Sequence, residues 1–183
     1  MTSGLLPLAL CATFAVSPLC AKEAELARLH VPDQFTIEKV AAAPAVKFPM
    51  FAAFDDRGRL FVAESSGGDL YSELTELKRN CRVSVLEDRD GDGSFETARV
   101  FADNLVFPMG LTWRDGKLFL AQGPEAVTLE DTDNDGRADK RTTILAGFGH
   151  SDNGSLHGII FGPDRLLYMT VGQPDGYRFK NAL

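Results

Sequence analysis

The stretches Phe48–Glu64 (FPMFAAFDDRGRLFVAE) and Phe107–Gln122 (FPMGLTWRDGKLFLAQ) follow one plan: an apolar run, a tight turn built on Asp and Gly, and a second apolar run. Leu156–Gly172 (LHGIIFGPDRLLYMTVG) repeats it with Asp and Arg in the turn. Short apolar runs punctuated by Asp, Gly and Pro read as strands joined in hairpins. Leu60, Leu118 and Leu167 hold equivalent places, 58 and 49 residues apart.

A second repeat interleaves with the first. Asp88–Glu96 (DRDGDGSFE) returns 43 residues later as Asp131–Asp139 (DTDNDGRAD). The strand-like runs RVSVLED and AVTLED precede these loops, and ARVFAD and RTTILAG follow them. Each unit is therefore two hairpins, or four strands, in about 45 to 60 residues, which is the period and strand count of a β-propeller blade. The expected fold is all-β. At about 50 residues per blade, residues 48–183 make a partial propeller of roughly three blades, against the four to eight that close a ring. The sequence is thus expected to be a fragment, truncated at its C-terminus. Ser72–Asn80 (SELTELKRN) is the one helical turn expected within it, placed in an insertion.

Composition agrees with a globular class: 44% of the 183 residues are hydrophobic and 25% are charged. The formal charge is −7 and no lysine or arginine block occurs, which argues against a nucleic-acid partner, since that affinity rests on clustered cations. Residues 1–21 carry no charge and contain the apolar run LLPLALCATFAVSPLCA, after which Lys22, Glu23 and Glu25 follow at once. This reads as a signal peptide cleaved near Ala21, giving a secreted or periplasmic protein. Pro7 and Pro18 interrupt the run, so a spanning anchor of about 20 apolar residues is not supported. Residues 22–47 read as an N-terminal linker, with a short helix ended by Pro32. Cleavage would remove Cys11 and Cys20 and leave Cys81 alone, which excludes an intradomain disulfide.

The acidic loops carry the clearest chemistry. Aspartates at alternate positions turn their carboxylates toward one point, a glycine at the sixth position permits the turn, and an acid at the ninth can complete an oxygen shell suited to Ca²⁺. The candidate ligands are Asp88, Asp90, Asp92 and Glu96 in the first loop, and Asp131, Asp133, Asp135 and Asp139 in the second. The twelfth position is Arg99 or Thr142 and no helix flanks either loop, which rules out an EF-hand. The competing reading is a plain turn, for which Asp, Asn and Gly are the favoured residues. Any calcium would be structural.

Of the three histidines, His30 lacks supporting context, while His150 and His157 flank the polar loop Ser151–Leu156 (SDNGSL) that leads toward a strand. In a propeller, loops leading into innermost strands open on the central channel, where ligands bind. An imidazole there can accept a proton near neutral pH. The alternative is a histidine that only positions the loop through a backbone hydrogen bond. Nucleophile-elbow, phosphate-loop, zinc and CxxCH haem motifs are absent from the sequence.

At VLEDRDGDGSFETARVFADNLVFPMGL, LEDTDNDGRADKRTTILAGFG and LHGIIFGPDRLLYMTVG, over about residues 35–177, the chain resembles the membrane-bound dehydrogenase-type proteins of planctomycete and verrucomicrobial kind. These are similar to the soluble glucose and sorbosone dehydrogenases. The resemblance implies an exported six-bladed propeller, with pyrroloquinoline quinone and Ca²⁺ as cofactors in the sugar dehydrogenase branch. It also implies a c-type haem domain downstream as electron acceptor in the larger members. By the same resemblance, a histidine shortly before the GPD segment acts as general base on a sugar or polyol hydroxyl, and His157 and His150 are the candidates for that role. Two departures stand out: Arg165 follows Asp164 where the group has Gly, and Gln173 stands where it has Asp.

Two functions follow as expectations. One is a quinone-dependent oxidoreductase acting on a sugar or polyol. The other is a non-catalytic, calcium-stabilised propeller that binds a glycan or a protein partner.

Overall fold

The computed structural model describes residues 26, 28–148 and 156–172. The signal peptide read at residues 1–21, together with Cys11 and Cys20, lies outside them, as do His150 and Gln173. In chain order the elements are β1 (Pro49–Phe54), β2 (Leu60–Glu64), α1 (Leu70–Thr75), β3 (Cys81–Glu87), β4 (Thr97–Leu105), β5 (Pro108–Arg114), β6 (Lys117–Gln122), β7 (Glu125–Glu130), β8 (Lys140–Ala146), β9 (Leu156–Phe161) and β10 (Leu167–Val171). Contacts divide the chain at Lys39/Val40, and all these elements belong to the second unit, residues 40–183.

The strands form two four-stranded antiparallel sheets in the orders β1-β2-β3-β4 and β5-β6-β7-β8, with β9 and β10 paired as a hairpin. Within each sheet every strand pairs with its neighbour in sequence, the up-and-down order of propeller blades. The repeat read from the sequence is kept in the register, because Leu60, Leu118 and Leu167 face Phe54, Trp113 and Phe161 across their hairpins. The first strands β1, β5 and β9 lie side by side. Gly110 and Gly158 mark the closest point, since a Cβ on Gly110 would sit 2.8 Å from the Gly158 Cα. A side chain at Gly110 would push β5 off β9.

Period-two alternation explains how the blades stack. β2 is buried along its whole length: Phe61 and Ala63 face the core shared with the second sheet, while Leu60 and Val62 face a smaller cluster with Val46 and Leu86. β6 repeats this, with Leu118 and Leu120 in the first core and Ala121 in the cluster shared with Leu156 and Ile159 of β9. Phe61 centres the first interface. Its ring meets Phe101 edge-on at 4.9 Å and stacks on Trp113 at 5.1 Å. Such pairs add about 0.5–1.5 kcal/mol each beyond area burial.

The helix α1 starts two residues earlier than the sequence reading placed it. Asp69 is its N-cap and accepts the N–H groups of Tyr71 and Ser72 at 3.2 and 3.4 Å, which satisfies donors the first turn would otherwise leave open. Among the described residues, no helix is long and apolar enough to cross a membrane.

Candidate functional site

Antiparallel pairing sorts the candidate residues onto two ends of the blades. The β1–β2, β3–β4, β5–β6, β7–β8 and β9–β10 turns share one end, and the connections into β3, β5, β7 and β9 share the other. Both acidic loops therefore sit at the first end and His157, second residue of β9, at the other. Six residues of strand separate the ends by about 20 Å. The aspartates and the histidine cannot act on one small ligand.

At the first end the two acidic loops are near copies. Asp88 accepts the N–H groups of Gly91 and Gly93 at 2.7 and 2.9 Å, and Asp131 accepts those of Asp135 and Gly136 at 3.2 and 3.0 Å. Asp92 holds Ser94 and Asp135 holds Arg137, both at 2.7 Å. The fourth and sixth positions are left-handed in both loops: Gly91 and Gly93 at φ 78° and 88°, Asn134 and Gly136 at 61° and 90°. Asn is among the few non-glycine residues that tolerate this region, which accounts for the one Gly/Asn exchange between the copies.

One oxygen from each of Asp88, Asp90, Asp92 and Glu96 lies within 4.8 Å of the others, and so do oxygens of Asp131, Asp133 and Asp135. Two oxygens sharing a Ca²⁺ at 2.3–2.6 Å are at most about 5 Å apart, so both groups match the spacing of a calcium shell. Asp139 does not join its group. Its carboxylate accepts the Thr132 hydroxyl at 2.6 Å and the Thr132 N–H at 2.9 Å, and these bonds hold its pKa below the usual carboxylate value. Glu96 makes the matching bond to the Arg89 N–H at 2.8 Å while remaining in its group.

These loops also fasten blades. The residue before the ninth-position acid donates its N–H outward: Ala138 to the Phe101 carbonyl of β4 at 2.8 Å, and Phe95 to the Val40 carbonyl at 3.3 Å. Arg137 adds an ion pair to Asp103 at 3.2 Å. Arg99 of β4 pairs with Glu87 at 2.6 Å and lies so close over the second loop that a Cβ on Gly136 would sit 2.7 Å from its guanidinium carbon. A cleft of about 370 Å³ remains between the sheets there, lined by Arg57, Arg59, Glu87, Arg99, Trp113 and Asp131 among others.

The other end holds a repeated polar device that the sequence reading missed. β2 ends in Glu64 and β6 in Gln122, both buried. Glu64 accepts the Lys47 N–H at 2.6 Å, and Gln122 accepts the Val106 N–H at 3.1 Å. Each of those donors precedes a phenylalanine of positive φ and then a proline, at Phe48-Pro49 and Phe107-Pro108. The readable signal was a polar residue closing both FVAE and FLAQ. Glu64 is further held by Arg82, at 3.0 and 3.1 Å, and by the Ser84 hydroxyl. Burial pushes its carboxyl up, but the bonds from Arg82, Ser84 and the Lys47 N–H outweigh this and hold it below the ordinary value.

His157 is partly exposed, pairs with Thr170 in the register of β10, and accepts the Thr170 hydroxyl on its carbonyl at 2.8 Å. His30 is exposed and lies in the other unit, residues 1–39. An apolar cleft of about 330 Å³ runs along the first strands, between Phe51, Leu111, Ile160 and Tyr168. A tricarboxylate quinone needs cations around it. Among the described residues the first strands carry one fixed cation, Arg114, at the end opposite His157. The first strands therefore do not by themselves fit such a group. The GPD segment is the hairpin turn between β9 and β10: Asp164 accepts the Leu166 N–H at 3.0 Å and the Tyr168 hydroxyl at 2.6 Å, which makes it a turn residue.

Two sequence-consecutive four-stranded sheets with their first strands side by side, followed by a third hairpin in the same register, make this an all-β protein of the propeller class. Within that class the chain belongs to the family described as a domain of unknown function, DUF7133, whose model matches residues 21–181. No curated protein matches it. Among solved structures it is similar to a Thermus thermophilus protein described as an oxidoreductase (glucose dehydrogenase), at 22% identity and a TM-score of 0.47, over 74% of this chain and 41% of that one. It is also similar to the pyrroloquinoline quinone domain of pyranose dehydrogenase from Coprinopsis cinerea, at 15% identity and 0.49, over 68% and 27%. A third is the quinone-bound aldose sugar dehydrogenase of Streptomyces coelicolor, at 17% and 0.42, over 72% and 39%. The chain spans less than half the length of each.

Proposed function

We propose that this chain contributes blades to an exported oxidoreductase of the propeller class that oxidises a hydroxyl of a sugar or polyol. The observation that carries the reading is the position of His157, at the start of the innermost strand of the third hairpin and remote from the acidic loops. The motif resemblance calls for a histidine shortly before the GPD segment, a role for which His157 and His150 are the candidates. In this role the His157 imidazole would take the proton of the substrate hydroxyl, and the Thr170 hydroxyl on the His157 carbonyl steadies the backbone that carries the ring. A bound quinone would supply the hydride acceptor, held by residues outside the first strands. Calcium in the acidic loops would be structural.

A second reading is favoured by the apolar cleft between Phe51 and Tyr168, which offers ring faces to a glycan or a protein partner and needs no chemistry. One experiment separates the two. The protein purified from cells expressing the natural gene is supplied with pyrroloquinoline quinone and Ca²⁺ and assayed for dye reduction with aldoses and polyols. Turnover that falls by about 10²-fold or more in His157→Gln supports the oxidoreductase. No dye reduction with any of these substrates, together with no quinone binding, leaves the binding role.

A further inference from the structure

Both four-stranded sheets send residues to one cleft at the acidic-loop end. The β1–β2 turn brings Asp56 and Arg57 with Arg59 at its close, β4 brings Arg99, β5 brings Trp113, and the second acidic loop brings Asn134. At about 370 Å³ the cleft falls within the size range of small-molecule sites.

Its charges are balanced. Arg59 is paired with Asp55 at 2.7 Å and Arg99 with Glu87 at 2.6 Å, while Arg57 follows Asp56 in the turn. Asp131, also in the wall, has one carboxylate oxygen on the Asp135 N–H and the other on the Gly136 N–H. An ionic ligand of either sign therefore meets no unopposed charge. Hydrogen-bonding groups are what the cleft has to offer. Among the described residues, the side chains of Asp56, Arg57 and Asn134 make no hydrogen bond. Trp113 Nε1 is buried, and among the described residues it is the one buried side-chain polar atom without a partner. Buried donors are paired as a rule, so this N–H calls for an oxygen. A carboxylate accepts, a guanidinium and an indole donate, and an amide does both, whereas a hydroxyl can answer each of them.

We propose that this cleft binds a neutral saccharide, whose hydroxyls meet Asp56, Arg57 and Asn134 and bring an oxygen to the Trp113 N–H. The cleft lies at the end of the sheets opposite His157, about 20 Å away. A glycan held there is not presented to that histidine, so the inference stands apart from the proposed oxidation and from the apolar cleft along the first strands.

Titration calorimetry on the protein purified from cells expressing the natural gene, with maltose, cellobiose and xylobiose as the ligands, tests it. At least one is expected to bind with a Kd of about 1 mM or tighter, and equally well to His157→Gln. Arg57→Ala and Asn134→Gly change exposed side chains, and the second keeps a left-handed turn position that is glycine, Gly91, in the first loop. Each is expected to weaken binding about tenfold or more with the melting temperature unchanged. Weaker binding than this by all three sugars overturns the proposal. So does binding that is lost in His157→Gln and kept in Arg57→Ala and Asn134→Gly, which puts the sugar at the other end. Tighter binding of inorganic phosphate than of any sugar, abolished by Arg57→Ala, also overturns it, since the cleft would then be an anion site.

Discussion

The N–H of Ala138 donates to the carbonyl of Phe101 at 2.8 Å, so the second acidic loop is bonded to the outer strand of the sheet before it. The loop that suggested an ion site in the sequence is also the fastening between blades. Calcium held by its aspartates would stiffen that fastening.

Calcium should therefore raise the melting temperature. A ligand at 100 times its Kd adds about 2.7 kcal/mol to stability, which moves Tm by several degrees. The double variant Asp90→Asn, Asp133→Asn is expected to lose this response, measured by thermal unfolding with Ca²⁺ and then with a chelator. A wild-type Tm unmoved by either reagent would leave the loops as turns and fastenings only.

Glu64 makes the fold acid-sensitive. Its carboxyl is held below the ordinary value of 4.5, so its contribution is fully present above that pH and is lost as pH falls through the lower folded value. Urea unfolding should show stability declining below about pH 4.5. Glu64→Ala removes the acceptor of the Lys47 N–H and the Ser84 hydroxyl while the half-exposed Arg82 can turn to water, and leaving such donors unsatisfied costs about 1–3 kcal/mol. Glu64→Gln, which puts the residue of the second blade in the first, is expected to cost less and to flatten part of the acid decline.

Arg165 occupies the turn position that Gly58 holds in the first hairpin, with φ 67° against 79°. A non-glycine residue there costs about 1–2 kcal/mol. Arg165→Gly is expected to raise stability by about 1 kcal/mol, part of the relief being offset by the greater freedom of an unfolded glycine. Chemical denaturation measures it, and a loss of stability would show that the Arg165 carbonyl contact from Arg114 at 3.2 Å depends on the side chain's presence.

Gly110→Ala places a methyl against the Gly158 backbone, where overpacking costs about 1–3 kcal/mol. The same change at Gly116, around which nothing lies within 4 Å, meets only the strain of its φ of 78°. Comparing the two by thermal unfolding, with amide exchange on β9 as the readout, separates sheet contact from turn strain: faster exchange of β9 is expected in the first variant alone.

Cys81 is a free, buried thiol, and burial raises its pKa above the ordinary value. Since the thiolate is the reactive form, labelling by a maleimide at neutral pH should proceed only at the rate of unfolding. Rapid labelling of the folded protein would contradict the placement of β3.

The strand order, the blade period and the paired acidic loops were legible in the chain because they depend on local rules: alternation of apolar residues, turn chemistry, and repetition. The register of Leu60, Leu118 and Leu167 followed from the same rules. Three features were decided only by tertiary contact. Antiparallel pairing placed His157 and the aspartates at opposite ends of the sheets, although only 18 residues separate Asp139 from His157. Asp139 left the ion-spaced group because Thr132, seven residues away, offered both a hydroxyl and an N–H at bonding distance. Glu64 and Gln122, plain strand endings in sequence, became buried anchors because the chain entering each blade brings an unpaired N–H to them. A buried N–H needs an acceptor, and only the folded neighbourhood determines which side chain supplies it.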